Sequence, residues 1–245
     1  MFTGIVREIG TVAKIQRAAG LVRLTVEAPK TSPLVQPMES VAVNGVCLSA
    51  THVRGGAITF DMIGETQRLT TLGALRSGSR VHVEPSLAVT DRLSGHLLLG
   101  HVDGTGTIAS RRQRAGELIL NIRVSSSLRS WLVPKGPIAV DGVSLTVGAA
   151  LGGSTFPVHL IPETLRRTTL GERGVGDRLN IEIDYMAKLI RQYMTASHRN
   201  GQVWRVTRSG GPRPPARSSE LAVSRRAAPE RGRTAGSRSG RTRQT

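Results

Sequence analysis

The chain states one pattern twice, with matching anchors about 97 positions apart. Asn44-Gly45-Val46 answers to Asp141-Gly142-Val143, Glu65-Thr66 to Glu163-Thr164, and Thr70-Thr71-Leu72-Gly73 to Thr168-Thr169-Leu170-Gly171. The correspondence starts earlier still, with Gly4-Ile5-Val6 beside Gly100-His101-Val102 and Gly10-Thr11-Val12 beside Gly106-Thr107-Ile108. Solenoid units recur every ~20–50 residues. A spacing near 97 is instead the size of a whole small domain. The sequence therefore encodes a duplicated domain, and the positions where the copies differ are where function should be sought.

Within each copy the apolar residues alternate, as on a half-buried strand. Ile58, Phe60 and Met62 are separated by Thr59 and Asp61; Phe156, Val158 and Leu160 are separated by Pro157 and His159. Gly55-Gly56 and Gly152-Gly153 fall between such runs, where hairpins need positive φ. About six strands per copy follow, and a sheet that small escapes open edges by closing into a barrel. Short helical turns are expected around 29–34 and 126–132. The clearest helix starts after Asp184, an acceptable N-cap, with Tyr185, Leu189, Ile190, Tyr193 and Met194 forming an apolar stripe. The expected domains are 1–96 and 97–184, followed by a packing or oligomerisation helix at 185–196 and a tail at 197–245.

Aromatic residues make up 3% of the chain, so the two cores must be built mainly from Val, Leu and Ile. The net charge of +17 suggests nucleic acid until its distribution is examined. Residues 195–245 hold 12 Arg and 2 Glu, leaving the preceding residues only mildly basic. Such an Arg-, Gly-, Pro- and Ser-rich tail has too little apolar surface to offset ordering entropy and is expected to be disordered. Twelve Arg would attract phosphate in a salt-dependent way, but one Trp and no recognised motif favour a solvated extension over a nucleic-acid module. The single Cys47 excludes an intrachain disulfide and suits a reducing compartment. The charged N-terminus does not read as a signal peptide, and no apolar run reaches the ~18 residues of a membrane span. A soluble, cytoplasmic protein is expected.

Five motifs in order then resemble one family: Met1-Phe2-Thr3-Gly4-Ile5-Val6, Asn44-Gly45-Val46-Cys47-Leu48, Gly95-His96-Leu97 with Gly100-His101-Val102, Asp141-Gly142-Val143-Ser144-Leu145-Thr146, and Leu160-Ile161-Pro162-Glu163-Thr164. Together they are similar to riboflavin synthase of the α-chain type, over residues 1 to about 194. The resemblance implies an all-β chain of two tandem six-stranded Greek-key barrels plus a C-terminal helix around which three chains assemble. It implies a dismutation in which one 6,7-dimethyl-8-ribityllumazine gives a four-carbon unit to a second, forming riboflavin and a ribitylamino-pyrimidinedione without metal or external cofactor. Two substrate molecules would share each active site, between barrels of neighbouring subunits, and an association with lumazine synthase falls within the same implication. The long tail departs from the family, whose chains usually end soon after the helix.

Carried over position by position, the resemblance gives the N-terminal barrel the contacts Gly4, Ile5, Val6, Cys47, Leu48, Ser49, Asp61, Met62, Ile63, Gly64, Glu65 and Thr66. It gives the C-terminal barrel Gly100, His101, Val102, Lys135, Ser144, Leu145, Thr146, His159, Leu160, Ile161, Pro162, Glu163 and Thr164. Hydroxyls and backbone groups suit the pyrimidine edge of a lumazine, and Glu65, Asp61, Lys135 or His159 suit its ribityl chain. The catalytic candidates are His101, Cys47, Ser144, Asp141 and Phe2. Cys47 stands where the other copy has Ser144; it either fills a small core site, activates water or a nucleophile, or shapes the donor-versus-acceptor distinction between the barrels. Ser49 stands where Thr is common in the family. His101 replaces Ile5 and is expected to transfer protons or to orient Ser144 and Asp141, with a packing histidine as the alternative. Asp141 has a competing reading as a turn former, and Phe2 either covers the site or plugs a barrel. Thr70-Thr71 and Thr168-Thr169 read as structural. A lumazine- or flavin-carrying protein with one working barrel is the rival function.

Overall fold

Alternation in the sequence becomes two strand sets of six in a computed structural model, which describes residues 1–199 except 19, 115 and 150, together with 205–206 and 212–213. In the first copy, β1 (Glu8–Ala18), β2 (Leu21–Glu27), β3 (Ser40–Val43), β4 (Val46–Arg54), β5 (Ala57–Ile63) and β6 (Arg80–Pro85) close in the order β1-β2-β5-β4-β3-β6. Three consecutive hairpin-linked strands with β2 returning beside β5 form a Greek key. The second copy repeats the order with β7 (Gly104–Arg114), β8 (Glu117–Arg123), β9 (Pro137–Val140), β10 (Val143–Thr146), β11 (Thr155–Leu160) and β12 (Arg178–Ile183).

The inward residues are those the alternation selected. Ile58, Phe60 and Met62 are buried in the first barrel, and Phe156, Val158 and Leu160 in the second. Each such side chain contributes roughly 1.5–3 kcal/mol on burial. The cores are indeed dominated by Val, Leu and Ile, and the three Phe, including Phe2, are fully enclosed. The expected turns appear as a 3₁₀ turn at Ser32–Leu34 and α2 (Ser126–Arg129); two further one-turn helices, α1 (Gly64–Leu69) and α3 (Pro162–Arg167), follow β5 and β11.

The two seams differ. Between β4 and β5 four residue pairs run from Ala50–Phe60 to Arg54–Ala57. Between β10 and β11, among the described residues, two isolated bridges stand, Val147–Val158 and Gly152–Thr155, with the Gly148 N–H donating to the Pro157 carbonyl at 2.7 Å. Pro157 occupies the place of Thr59 and has no N–H to give the ladder. Among the described residues the second barrel therefore has the thinner seam.

Residues Met1–Arg191 form one unit that holds both barrels, which meet through reciprocal contacts of matched residues. The Asn44-Gly45 and Asp141-Gly142 turns meet there, all four residues at positive φ between 46° and 77°. A Cβ on Gly45 would lie 2.5 Å from the Gly142 nitrogen, and one on Gly142 2.6 Å from that of Gly45. Only glycine permits that approach. Asn44 Oδ1 accepts from the His82 N–H at 2.8 Å and Asp141 Oδ1 from the Asn180 N–H at 2.7 Å. His82 and Asn180, matched residues of the two copies, then reach across: His82 Nδ1 meets the Asp141 carbonyl at 2.8 Å, and Asn180 Nδ2 donates to the Asn44 carbonyl at 2.9 Å. Their other atoms accept from the matched amides of Thr169 and Thr71. Since His82 Nε2 accepts, its proton is on Nδ1. Burial lowers the His82 pKa to about 4, so the ring is neutral. Thr70 and Thr168 cap the 3₁₀ turns after them, in keeping with the structural reading of both Thr pairs.

Asp184 caps α4, its Oδ1 accepting from the Met186 N–H at 3.1 Å. The helix runs Tyr185–Arg199, three residues past the expected end at 196, into what was read as tail. Met186, Leu189 and Ile190 are exposed on it. Residues Gln192–Thr245 form a second unit; within it Arg205–Val206 pairs antiparallel with Pro212–Arg213. The expectation of disorder otherwise falls outside the described residues. Among the described residues no helix is long and apolar enough to cross a membrane.

Candidate active site on the outer face of the second hairpin

In β4, Val46, Leu48 and Ala50 enter the core, which turns Cys47 and Ser49 outward by strand periodicity. In β10, Val143 and Leu145 pack inward, and Ser144 and Thr146 take the same outward places. The first residues of each strand pair on one side only: Val46–Ser49 pair with β3, and pairing with β5 begins at Ala50. The free side must find partners for its backbone groups.

Those partners come from the opposite copy. The Cys47 N–H donates to the Gly100 carbonyl at 2.9 Å, and the Ser144 N–H to the Gly4 carbonyl at 2.9 Å. Val6 lies in the core of the C-terminal barrel, and Val102 packs against that of the N-terminal barrel. The expected assignment of these segments is therefore exchanged. Gly4, Ile5 and Val6 stand at β10 and the C-terminal core, and Gly100, His101 and Val102 at β4 and the N-terminal core. Each crossing segment is clamped by a buried carboxylate that starts from its own barrel. Glu84 accepts from the Thr3 and Gly4 amides and the Thr3 hydroxyl, and Glu182 from the Leu99 and Gly100 amides. Burial raises both carboxyl pKa values, partly offset by these donors.

The exchange moves the candidates. His101 is exposed and follows the residue bound to Cys47; it makes no hydrogen bond to Ser144 or Asp141 among the described residues. The histidine at Ser144 is His96, its Nδ1 2.7 Å from Ser144 Oγ and its N–H on the Thr3 carbonyl. His96 Nε2 is buried with no partner among the described residues. Burial lowers its pKa, and the charge of Asp184 opposes that shift. Asp141 is 0 % exposed, its carboxylate on the Asn180 amide and 3.4 Å from Arg173, and burial raises its pKa to about 7. It is buried in the barrel contact at its turn, as the turn-forming reading expects. Phe2, 1 % exposed, bridges Leu98 and packs with Ala42 and Ala139 between the barrels, with half-buried Cys47 against this cluster. Phe2 thus belongs to a cluster separate from the two barrel cores.

The remaining candidates lie where the two hairpin ends meet their helices. Met62 and Leu160 are core residues, whereas Ile63 and Ile161 are exposed immediately before α1 and α3. Gly64, Glu65 and Thr66 form the first turn of α1, and Pro162, Glu163 and Thr164 that of α3. Glu163 is engaged by Arg166 and Arg167, which hold its carboxyl below the ordinary range. Asp61 is paired bidentately with Arg23, and its matched residue His159 with Glu117 at 2.8 Å. Lys135 is exposed with φ 65°, and its amide donates to the Val147 carbonyl; the matched Met38 does the same toward Ala50 with φ 74°. Left-handed backbone at a residue with a Cβ costs roughly 1–2 kcal/mol, and here both copies keep it. Beside Ile5 and Val6 opens a cleft of about 570 Å³, with Arg7, Lys30, Arg92 and the α3 residue Arg167 in its walls.

Sequence reasoning missed Glu84, Glu182 and His96. The two Glu are matched across copies, which was a usable signal. His96 precedes the repeated segment and had none beyond its motif.

The lumazine binding domain family matches residues 3–86 and again 99–184. Riboflavin synthase of Mycobacterium tuberculosis (strain ATCC 25618 / H37Rv) is 41% identical over 201 residues, covering 80% of this chain and all of that protein. Riboflavin synthase of Escherichia coli (strain K12) is 40% identical over 188 residues, covering 75% of this chain and 87% of that one. The crystal structure of LumP complexed with riboflavin superposes with a TM-score of 0.70 at 23% identity over 75% of this chain and 99% of the other, a likeness of fold. With the repeat, the two barrels and these relatives in agreement, the chain belongs to the riboflavin synthase family.

Proposed function

We propose that this protein is a transferase, a riboflavin synthase, which dismutates two molecules of 6,7-dimethyl-8-ribityllumazine into riboflavin and 5-amino-6-ribitylamino-2,4-pyrimidinedione. The observation that carries this reading is the doubled lumazine-binding domain, in which both copies keep outward polar residues on the equivalent strand and a crossing segment beside them. Like must react with like, and two related sites hold two copies of one substrate. Fixing both reactants can remove roughly 7–11 kcal/mol of a bimolecular barrier.

In this reading Cys47 and Ser49, with Gly100–Val102 and Asp61–Thr66, hold one lumazine. Ser144 and Thr146, with Gly4–Val6, Lys135 and His159–Thr164, hold the other. His101 moves protons at the Cys47 site. Asp141 and Phe2 act as positioning residues, because each sets the placement of a hairpin or crossing segment. Met186, Leu189 and Ile190 on α4 offer an apolar face for a homotrimer, which brings an N-terminal site of one chain to a C-terminal site of its neighbour. The protein works in the cytoplasm with no added cofactor, and an association with lumazine synthase is part of the same reading.

The test is incubation of the purified chain with 6,7-dimethyl-8-ribityllumazine alone while absorbance is followed. Formation of riboflavin at half the rate of lumazine loss is expected; no flavin formation would dismiss the enzyme. Two lumazine analogues bound per chain accord with the synthase, one with a carrier. His101→Gln should slow turnover about 100-fold or more while binding stays within a few-fold; equal loss of both counts against its proton-transfer role.

A further inference from the structure

The two outer hairpins are matched in backbone and differ in side-chain chemistry. Cys47 has no side-chain hydrogen bond among the described residues. At the equivalent place Ser144 is held by His96 at 2.7 Å. His96 is itself fixed by its backbone N–H on the Thr3 carbonyl, within the segment that Glu84 clamps. The remaining ring nitrogen, Nε2, is buried and has no protein partner among the described residues. A buried polar atom left so is costly unless water or a ligand meets it.

We infer that His96 is a positioning residue for the C-terminal site: its Nδ1 accepts the Ser144 hydroxyl proton, so Ser144 offers its ligand only lone pairs. The inference rests on the synthase reading and deepens it. A neutral imidazole that takes the proton at Nδ1 carries its own hydrogen on Nε2, where bound water or the polar edge of the ligand completes it. The C-terminal site then presents an oriented acceptor. The N-terminal site presents a thiol, a weak donor. Two chemically identical substrates would thus meet unlike hydrogen-bonding partners, which is what a reaction with distinct donor and acceptor molecules requires.

Protonation of His96 would reverse the contact. Nδ1 would become a donor, and Ser144 would have to turn its own proton toward the ligand. The charged group acting on His96 is Asp184, which favours the protonated ring, while Glu84 holds Thr3, whose carbonyl accepts from the His96 amide. Lys188, on α4 beyond Asp184, is paired with Asp103 at 2.6 Å. Burial outweighs Asp184 and keeps the ring neutral at neutral pH. The switch therefore lies below pH ~6.5, the ordinary histidine value.

The test uses the full chain and riboflavin as a fluorescent probe titrated to both sites, alongside turnover of 6,7-dimethyl-8-ribityllumazine. Turnover by the unaltered chain is measured first, and its absence would fell the synthase reading on which the inference depends. With an active chain, His96→Leu should weaken one of the two sites about 10-fold or more and leave the other within about 2-fold. His96→Asn, whose amide oxygen can stand in for Nδ1, should restore that site to within a few-fold at pH 7.5. It should also lack the loss of affinity that the unaltered chain shows below pH 6.5. The inference is overturned if His96→Leu spares both sites, if it weakens both alike, or if His96→Asn keeps the acid loss. Circular dichroism of each variant separates these results from unfolding, and the Asn variant remains decisive should Leu fail to fold.

Discussion

The N-terminal barrel is sealed along β4 and β5 by four residue pairs, while among the described residues the C-terminal barrel is joined between β10 and β11 by two isolated bridges. The same contrast appears in polar chemistry. The first copy has His82, Cys47 and the Arg23–Asp61 pair; the second has Asn180, Ser144 with His96, and the Glu117–His159 pair. Backbone-determined features were kept in both copies: the Asx-Gly turns, the clamping Glu and the left-handed residue before β3 and β9. Duplication thus preserved the backbone frame and varied side chains both within the barrel contact and on the outward strand positions.

The strongest challenge to the reciprocal contact is a methyl group at its centre. Gly45→Ala and Gly142→Ala each combine positive φ with a Cβ less than 3 Å from facing backbone. Each should cost roughly 4 kcal/mol or more. Denaturant melts should show the two losses to be similar, and a large inequality would mean that the barrels do not meet symmetrically.

Next in size is the His82–Asn180 difference. The folded-state pKa of His82 is about 4, below the ordinary 6.5. Its stabilising contribution is therefore complete above pH 6.5 and is lost as pH falls to 4, an amount near 3 kcal/mol. His82→Asn, which copies Asn180, should gain about that much relative to the unaltered chain between pH 7 and 4. Asp141 works in the opposite sense: raised to about 7, it removes stability as pH climbs from 3.8. Asp141→Asn should tilt the difference the other way. Parallel stability curves for the His82 variant would dismiss the neutral buried imidazole.

The clamps sharpen the exchange of segments. Glu84→Gln should cost about 2 kcal/mol, because buried amides lose a charged acceptor. Its effect on ligand should appear in the C-terminal barrel, where Gly4 meets Ser144, whereas Glu182→Gln should disturb the N-terminal one. Site-resolved titration reads this directly, and damage confined to the barrel that supplies the Glu would refute it. The smallest effect belongs to the seam. Pro157→Thr, as in the first copy, should add up to about 1 kcal/mol and slow hydrogen exchange at Gly148 and Val147.

The repeat, its strand alternation, the Asp184 cap and the family motifs were readable along the chain because each depends on neighbours within a few residues. From them came two six-stranded barrels, the C-terminal helix and the candidate site positions. The crossing of 3–6 and 99–102 was not readable. Matched motifs align a segment with its own copy, whereas the vacant side of β4 and β10 accepts whichever backbone reaches it. For the same reason His101 was placed at Ser144, and the burial of Asp141 and Phe2 between the barrels went unseen. Sequence alone determined which units exist and what they are related to. Tertiary structure decided which unit completes which site, because the unmet hydrogen bonds of one barrel are answered by chain that begins in the other.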